Sequence, residues 1–450
     1  MKKNINEILD KLGIQMNAMQ EDAYSNILRS NKDVVVLSPT GSGKTLAYLL
    51  PLTQLLDADS NEVQAIIITP GRELALQSSE VLKNMGSGLR GMACYGGRPT
   101  MDEHRVLKQV KPQIIFGTPG RLNDHLDKEN IYAGTIKYLI IDEFDKCLEM
   151  GFQDEMSDLI SKLPSVERHF LLSATNAEEI PHYLKKQSNS NFKPVLIDYL
   201  DKDEQIPDRV IVFGVDSPEK DKLETLKKLL LVLGEQSSIV FLNYRDSVTR
   251  TDEFLRSQGF ATSSFHGGMD QKNREDALYK FSNGSANVFV STDLASRGLD
   301  IPDIDNIIHY HLPESEDGYI HRVGRTARWD KKGKAFFILN SEEHIPEYVD
   351  AEVKKYDLED AFSSLTSTEP LPAKMATIYI GKGKKDKISK GDIVGYICKN
   401  ANLKGSEIGK IDVKDRYSYV AVPRKKLRLV IKSCQGIKIK GIKTLVEEVR

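Results

Sequence analysis

The stretch "DVVVLSPTGSGKT", residues 33–45, joins an apolar run to a glycine-containing loop at the start of a helical pattern. Three consecutive valines are typical of a parallel strand that is covered on both faces. The glycines at 41 and 43 let backbone N–H groups point at phosphates, Lys44 adds a positive charge, and the Thr45 hydroxyl suits Mg²⁺. The stretch therefore predicts an α/β fold with a phosphate-binding loop at a strand end. A glycine-rich turn that binds nothing is the weaker alternative.

A second stretch, "IIDEFDKCLEMGF" (residues 140–152), places acidic residues at the end of another apolar run. Buried carboxylates are unfavourable unless they are paired or hold a metal. Together with the glycine loop, this predicts that Asp142 holds the Mg²⁺ of ATP through water. Glu143 is predicted to orient and deprotonate the attacking water. A helix-capping cluster of acids is the alternative, and it leaves the glycine loop unexplained.

The composition indicates a soluble protein with several domains. The chain has 450 residues, of which 40% are hydrophobic and 28% charged. No apolar run approaches the roughly 18 residues that a membrane helix needs. The N-terminal "MKKNINEILDKLG" has the pattern of a short amphipathic helix and lacks the apolar core of a signal peptide. Because the four cysteines are scattered without a CxxC pair, we expect neither a disulfide framework nor a zinc site, and we predict a cytoplasmic protein.

Apolar runs alternate with helical patterns twice along the chain. The first set is "DVVVL", "QAIIIT", "PQIIFG", "YLIID" and "HFLLS", and the second is "SSIVFLN", "ATSSF", "ANVFVS", "NIIHYH" and "KAFFILN". Each set predicts a doubly wound parallel sheet that binds ligands at the carboxyl ends of its strands. Charged and proline-containing stretches near 203 and 370 are typical of linkers. We therefore predict domains at 1–203, 204–368 and 369–450, the last a small α+β module.

The net charge of −2 is unevenly distributed along the chain. Residues 375–450 carry 19 Lys and Arg against seven Asp and Glu, a net charge of +12, which leaves −14 for residues 1–374. A basic tail on an acidic body favours a nucleic-acid partner. A solvated lysine-rich surface is the alternative.

The stretch "YIHRVGRTARWD", residues 319–330, spaces three arginines close to one face of a helix. Arginines in such a pattern most often form surface salt bridges. In a chain with a phosphate-binding loop, Arg322, Arg325 and Arg328 are also candidate arginine fingers, which neutralise charge on a departing γ-phosphate.

With these motifs in order, the first two predicted domains resemble the DEAD-box RNA helicases. The resemblance covers "SPTGSGKT", "DEFD" and "SAT" in the first domain, and "VFLN", "QKNR", "STDLASRGLDI" and "HRVGRTAR" in the second. It implies two RecA-like domains, ATP and Mg²⁺ as cofactors, and RNA as a partner. Phe144, Gly71 and Ala327 depart from the family pattern without removing a charge or a phosphate donor, so we expect ATPase activity.

The resemblance assigns a role to each matching position. Gln20 would read adenine and Ile14 would pack on the base. The implied ATP site consists of Ile14, Gln20, Ser38, Pro39, Thr40, Gly41, Ser42, Gly43, Lys44, Thr45, Asp142, Glu143, Gly298, Asp300, Arg325 and Arg328, with Thr45 and Asp142 as metal residues. The implied catalytic residues are Glu143, Lys44, Asp142, Arg325 and Arg328. The residues implied to couple ATP and RNA are Asp145, Ser173, Thr175 and His321. The implied RNA-binding residues are Pro70, Arg72, Glu73, Gly96, Gly97, Thr118, Pro119, Gly120, Arg121, Asn243, Gln271, Arg274 and Thr292.

The basic tail is similar to the C-terminal RNA-binding domain of DbpA-type bacterial helicases, which has an RRM-like fold. Related domains occur on cold-shock DEAD-box helicases. In "DRYSYVAV", Tyr417 and Tyr419 either stack on bases or pack inward as strand residues. The stretch "PRKKLR" is predicted to clamp the RNA backbone through Arg424, Lys425, Lys426 and Arg428.

The resemblance implies an ATP-dependent RNA helicase with a monomeric core and no membrane partner, acting on large-subunit ribosomal RNA during ribosome assembly. A general or cold-shock-type RNA chaperone that acts on mRNA or structured RNA is the alternative within the family. A DNA translocase and a non-catalytic RNA clamp are alternatives from other classes, and the RNA motifs and the intact ATP site disfavour them.

Overall fold

The computed structural model describes residues 4–39, 41–97, 100–149, 152–175, 193–200, 210–296, 304–326 and 333–449. The chain divides into two compact units, one built mainly from residues 1–205 and one mainly from residues 206–450. The predicted boundary at 203 falls outside the described residues. In the described ranges, no helix is long and apolar enough to cross a membrane.

The first unit is built on a seven-stranded parallel sheet. Its strands are β1 (Val34–Leu37), β2 (Ala65–Ile68), β3 (Gly91–Cys94), β4 (Ile114–Gly117), β5 (Tyr138–Ile141), β6 (Arg168–Ser173) and β7 (Val195–Asp198). They lie in the order β3-β4-β2-β5-β6-β1-β7. Both faces of the sheet are buried: Ile67 and Phe116 join one hydrophobic core, and their neighbours Ile66 and Ile115 join the other. This double burial explains the continuous apolar runs of the sequence.

Helices cover both faces of this sheet. They are α1 (Ile5–Leu12), α2 (Ala18–Arg29), α3 (Lys44–Leu55), α4 (Arg72–Met85), α5 (Thr100–Val110), α6 (Pro119–Asp127), α7 (Phe144–Glu149) and α8 (Gln153–Ser161). The predicted N-terminal helix is confirmed as α1, which is capped by the side chain of Asn4 and ends at Gly13, with φ of 67°.

The second unit repeats this topology. Its strands are β8 (Val210–Asp216), β9 (Ser238–Phe241), β10 (Thr262–Phe265), β11 (Val288–Ser291), β12 (Asn306–His309), β13 (Gly333–Leu339) and β14 (Val353–Lys355). Their order, β10-β11-β9-β12-β13-β8-β14, is that of the first sheet with every number raised by seven, and the pairs are again parallel. The helices are α9 (Leu223–Leu233), α10 (Arg245–Ser257), α11 (Gln271–Ser282), α12 (Glu316–Val323) and α13 (Leu358–Ser363). The prediction of two doubly wound halves is confirmed.

The basic tail forms a separate antiparallel sheet within the second unit. Its strands are β15 (Met375–Ile380), β16 (Ile411–Val413), β17 (Ser418–Pro423), the short hairpin β18 (Lys438–Ile439) and β19 (Ile442–Lys443), and β20 (Val446–Glu448). The sheet order is β16-β17-β15-β20, and the helices are α14 (Lys390–Ala401) and α15 (Leu427–Cys434). Ile378 and Val420 of the sheet share one core with Ile393 and Val430 of the helices. The predicted RRM-like module is confirmed.

The sheet of this module packs through its tyrosines on α11 of the second RecA-like half. The ring of Tyr419 lies 4.9 Å from that of Tyr279, centroid to centroid, and its hydroxyl donates to Asp276. Tyr419 is fully buried. Burial raises the pKa of the Asp276 carboxyl. The hydrogen bond from the Tyr419 hydroxyl and the charge of Lys272 oppose this rise.

Two further tyrosines extend this contact. The hydroxyl of Tyr417 donates to Glu275 Oε2 at 2.6 Å, and the Lys272 ammonium lies 5.3 Å from the ring centroid of Tyr379. The reading that Tyr417 and Tyr419 pack inward is not what the structure shows, since neither joins the module's own core and both contact α11 instead. Both side chains hold the module on its neighbouring domain.

Candidate functional site

The predicted phosphate-binding loop lies between β1 and α3. Gly41 and Gly43 have φ of 84° and 87°, in the left-handed region that favours glycine. Lys44 is the first residue of α3, and its ammonium donates to the carbonyls of Ser38 at 2.7 Å and Pro39 at 2.9 Å. The loop therefore encloses its own lysine, and its backbone turns at the start of a helix, where anions bind.

The predicted glutamine is brought to this loop. Gln20 lies in the first turn of α2, whose N-cap is Asn17, and its amide nitrogen donates to the carbonyl of Gly43 at 3.1 Å. The amide of Asn17 donates to the carbonyl of Ser42 at 2.9 Å. A Cβ at position 43 would lie 2.4 Å from the Gln20 amide nitrogen and would displace that amide, and the φ of 87° also favours glycine there. Adenine reading by Gln20 and packing by Ile14, which is 37% exposed, stay predictions.

Asp142 and Glu143 follow the central strand β5. The Asp142 carboxylate is 2% exposed and accepts hydrogen bonds from the Tyr48 hydroxyl at 3.0 Å and the Glu143 backbone N–H at 3.1 Å. Burial raises the pKa of this carboxyl, and the charge of Lys44 and the bond from Tyr48 oppose the rise. Glu143 has φ of 51°, a left-handed conformation that non-glycine residues seldom adopt outside functional or strained turns.

The residues around Asp142 fit a hard divalent cation. The Tyr48 hydroxyl donates to Asp142 at 3.0 Å, and Tyr48 and Thr45 both lie on α3, which begins at the loop. A buried carboxylate and a hydroxyl next to a phosphate-binding loop are the oxygen ligands that Mg²⁺ prefers. The donor set is therefore compatible with the predicted metal.

The predicted coupling residues of the first half also meet. The Thr175 hydroxyl donates to Asp145 Oδ2 at 2.9 Å, while the Ser173 hydroxyl donates to the Thr175 carbonyl at 2.6 Å. These bonds tie the end of β6 to the acidic stretch after β5. His321, the fourth predicted coupling residue, is buried in α12 of the other half.

The predicted RNA residues of the first unit stand at the carboxyl ends of three neighbouring strands. They are Pro70, Arg72 and Glu73 after β2, Gly96 and Gly97 after β3, and Thr118, Pro119, Gly120 and Arg121 after β4. A Cβ at position 97 would lie 2.6 Å from Arg72 Nη1, so the Arg72 guanidinium covers the Gly97 backbone. The three segments therefore form one edge of the sheet.

The second unit has a groove at the corresponding strand ends. Its volume is about 590 Å³, and its lining is Asn243, Tyr244, Arg245, Asp246, Gly267, Gly268 and Thr292. Two predicted RNA residues line it, and a third, Arg274, donates to the Gly267 carbonyl at 2.9 Å. Gln271 instead contacts Glu275, at 3.3 Å.

Arg322, one of the three candidate finger arginines, has a structural role. It is fully buried and donates to both Asp293 oxygens, to Asn243 Oδ1 at 2.8 Å and to the His311 carbonyl at 2.8 Å. Arg325 is 2% exposed and lies just beyond α12. Four predicted site residues, Thr40, Gly298, Asp300 and Arg328, lie outside the described residues.

The predicted backbone clamp of the tail divides into two pairs. Arg424 lies 3.7 Å from Glu448, and the Lys426 ammonium lies 2.5 Å from Glu407. Lys425 and Arg428 are exposed. These two cations are the better placed to meet a polyanion.

Two residues that contact predicted site residues were not foreseen from the motifs. Tyr48 lies four residues after Lys44, and this spacing places both on one face of α3. The sequence could therefore have indicated that Tyr48 lies near the phosphate-binding loop. Glu103 binds Arg121 at 2.9 Å across α5 and α6, and sequence spacing carries no signal for that contact.

Comparison with known families and proteins agrees with this arrangement. Residues 17–182 match the DEAD/DEAH box helicase family, residues 221–330 the helicase conserved C-terminal domain, and residues 377–448 the DbpA RNA binding domain. The chain is 35% identical over 441 residues to the ATP-dependent RNA helicase DbpA of Escherichia coli (strain K12), covering 96% of this chain and 94% of that protein. It is 33% identical over 436 residues to the protein of the same name from Bacillus subtilis (strain 168), covering 91% and 90%.

Among solved structures, Dbp5 of S. cerevisiae bound to RNA and ADP BeF3 is similar with a TM-score of 0.69 and 26% identity. The match covers 79% of this chain and 95% of that one.

Replacing Tyr48 by Phe tests the contact with Asp142. The variant keeps the ring and loses the hydroxyl that opposes the raised pKa of the Asp142 carboxyl, so that pKa should rise further. If Asp142 must be ionised for turnover, the acid limb of the pH profile of nucleotide hydrolysis should move up by roughly one pH unit. Tyr132→Phe, which removes an exposed hydroxyl in the same unit, should leave the limb in place. An unmoved limb in Tyr48→Phe would contradict the assignment.

Proposed function

The chain belongs to the DEAD-box family of ATP-dependent RNA helicases, of the DbpA type, and we propose that it remodels structured large-subunit ribosomal RNA during ribosome assembly. The observation that carries this proposal is the basic C-terminal module, which matches the DbpA RNA binding domain over residues 377–448. A module of this type would bring the helicase to one class of RNA, because the core reads backbone more than bases.

ATP is held and hydrolysed at the carboxyl edge of the first sheet in this proposal. Lys44 and the glycine loop would bind the β- and γ-phosphates. Mg²⁺, held by Thr45 and through water by Asp142, would neutralise charge on those phosphates. Glu143 follows Asp142 directly, is 8% exposed and has a left-handed backbone with φ of 51°. Glu143 would take the proton of the attacking water.

Two substitutions separate binding from turnover at this site. Glu143→Gln should leave ATP affinity near its original value and lower RNA-stimulated turnover by at least about a hundredfold, because an amide cannot accept the water's proton. Lys44→Ala should weaken ATP binding itself. ATP titration and steady-state phosphate release measure the two effects, with Glu80→Gln on the exposed face of α4 as the matched control. Turnover near the original rate in Glu143→Gln would exclude it as the base.

Arg325 is proposed to stabilise the γ-phosphate during transfer, with Arg328 as its companion. Arg325→Ala should then lower turnover far more than ATP affinity, towards the 10³–10⁵ range of arginine fingers. Because Arg325 is buried, thermal unfolding of the variant is measured alongside the rates. A loss under about tenfold, or a rate loss that follows lost stability, would assign Arg325 to structure.

RNA is proposed to reach the tail through its exposed cations and not through its tyrosines. The tyrosine face of the sheet packs on α11, which fully buries Tyr419 and leaves Tyr417 half-buried, so the Tyr419 ring is closed to bases. Lys425 and Arg428 stay exposed on the first turns after β17. Phosphate contacts of this kind supply affinity that falls steeply with salt.

Reversing the charge of these two residues tests the anchor without removing the module. Lys425→Glu with Arg428→Glu should raise the RNA concentration for half-maximal ATPase by about tenfold at low salt and lower the salt slope by about two charges. ATPase rates are measured against ribosomal and unrelated RNA, and the preference for ribosomal RNA should fall in the variant. Lys32→Glu with Lys354→Glu, which makes the same charge change on exposed sites elsewhere, is the control.

Two outcomes would contradict the proposal at different levels. Equal half-saturation by ribosomal and unrelated RNA in the unaltered protein would remove the ribosomal assignment while the helicase activity stood. Equal effects of the variant and its control would show that total charge, and not this surface, governs RNA affinity.

A further inference from the structure

We propose that Glu103 is a positioning residue that joins two RNA-facing segments of the first unit and sets how well this helicase engages RNA. The segments are the Gly96–Gly97 loop after β3 and the start of α6. This role rests on the proposed RNA contacts of these segments. It adds a residue that touches no RNA and acts through its partners.

The Glu103 carboxylate links the two segments directly. The side chain lies on α5 and is 5% exposed. Oε1 accepts the backbone N–H of Tyr95 at 3.2 Å, immediately before the glycine pair. Oε2 accepts from Arg121 Nη1 and from His125 Nε2, each at 2.9 Å, and both of these residues belong to α6. One buried carboxylate thus holds a loop and a helix.

The second ring nitrogen of His125 also has a hydrogen-bond partner. The amide nitrogen of Asn130 lies 3.1 Å from His125 Nδ1, and an amide nitrogen can only donate. Both ring nitrogens of His125 are therefore engaged, and the Arg121 guanidinium supplies the positive charge next to the Glu103 carboxylate. Removing the carboxylate would leave a largely buried guanidinium without that balance.

The same residues form a group with metal-like spacing. The ligand atoms of Cys94, Glu103 and His125 lie within 4.8 Å of one another. Both carboxylate oxygens and both ring nitrogens already have hydrogen-bond partners. Burial and the nearby Glu103 carboxylate raise the pKa of the Cys94 thiol, which keeps it protonated. The group is therefore a hydrogen-bond network and not a metal site.

Arg121 links α6 to α5 through Glu103, and this structural contact, more than phosphate binding, is its role in the network. Its side chain is 10% exposed, because the guanidinium points to Glu103. Glu103 and Arg121 hold the start of α6 in place. The free backbone N–H groups and the helix dipole at this helix end favour a phosphate. Thr100 supports the same geometry, since its hydroxyl donates to Asp124 at 2.7 Å and also ties α5 to α6.

The helix and the loop belong to one continuous edge. The guanidinium of Arg72 covers Gly97 on the side of α4, and Glu103 holds Tyr95 on the side of α5. A shift of α6 would therefore change the spacing between phosphate contacts without altering the ATP loop. This separation predicts an effect on RNA half-saturation that does not extend to ATP.

The test compares Glu103→Ala, Glu103→Gln, Arg121→Ala and the double variant Glu103→Ala/Arg121→Ala in the full-length protein. RNA-stimulated ATPase gives the RNA half-saturation, the ATP half-saturation and the rate at saturating RNA. Asp102→Ala, which removes an exposed carboxylate next to Glu103 on the same helix, is the matched control. Thermal unfolding is recorded for each variant.

Glu103→Ala should raise the RNA half-saturation by about tenfold, with ATP half-saturation and saturated rate within about twofold of the original. Glu103→Gln keeps an acceptor oxygen and should recover part of the loss. The double variant should lose less than the sum of the two single losses, because Glu103 acts in part through Arg121. If Glu103→Ala does not fold, the double variant, which leaves neither a carboxylate nor a guanidinium of this pair unbalanced, is compared with Arg121→Ala instead.

Two results would overturn the role of Glu103. One is an unchanged RNA half-saturation in Glu103→Ala while Arg121→Ala weakens RNA use. The other is a parallel loss in RNA use, ATP use and saturated rate that follows the loss of thermal stability, which would make Glu103 a core residue only. If Arg121→Ala itself leaves RNA use unchanged, the proposed RNA edge is wrong, and the role of Glu103 is overturned with it.

Discussion

Asp142 ends the central strand of the first sheet with a carboxylate that is almost wholly removed from water. Burial disfavours its charged form, and the ammonium of Lys44 and the hydroxyl of Tyr48 stabilise that form. Lys44 is in turn held by two carbonyls of the loop, and Gln20 closes on the same loop through Gly43. The relative placement of strand end, loop and glutamine helix therefore depends on one buried charge and the groups that balance it.

The second sheet has the same strand order but a buried charge of the opposite sign. Arg322, from α12, brings a fully buried guanidinium to the carboxyl ends of β9 and β12, where Asn243 and the His311 carbonyl accept its hydrogen bonds. Asp293, after β11, balances it. A buried anion organises one half and a buried cation the other. The same topology can therefore present a buried acidic strand end in one half and, at the corresponding strand ends of the other, a groove with a buried arginine bonded to one of its lining residues.

The parallel sheets were predictable because strands covered on both faces leave continuous apolar runs. The edge strands β3 and β14 left no such run, since β3 is half-buried and contains glycine, and β14 is exposed. Lys44 and Asp142 were predictable because their chemistry is local to a strand end. The structural role of Arg322 was not, because a three-residue spacing defines a helix face but not what that face meets. Glu103 likewise depends on contacts between separate elements.

In the whole chain, the tyrosine face of the C-terminal sheet packs against α11. A fragment of residues 375–449 alone would uncover Tyr379, Tyr417 and Tyr419, an aromatic platform that the whole chain keeps against α11. Every nucleobase has a π-face that stacks on such a platform regardless of sequence. The excised module should therefore bind unpaired bases nonspecifically and self-associate more than the intact protein does. In the whole chain, α11 keeps this face covered, so the buried Tyr419 ring is closed to nonspecific stacking.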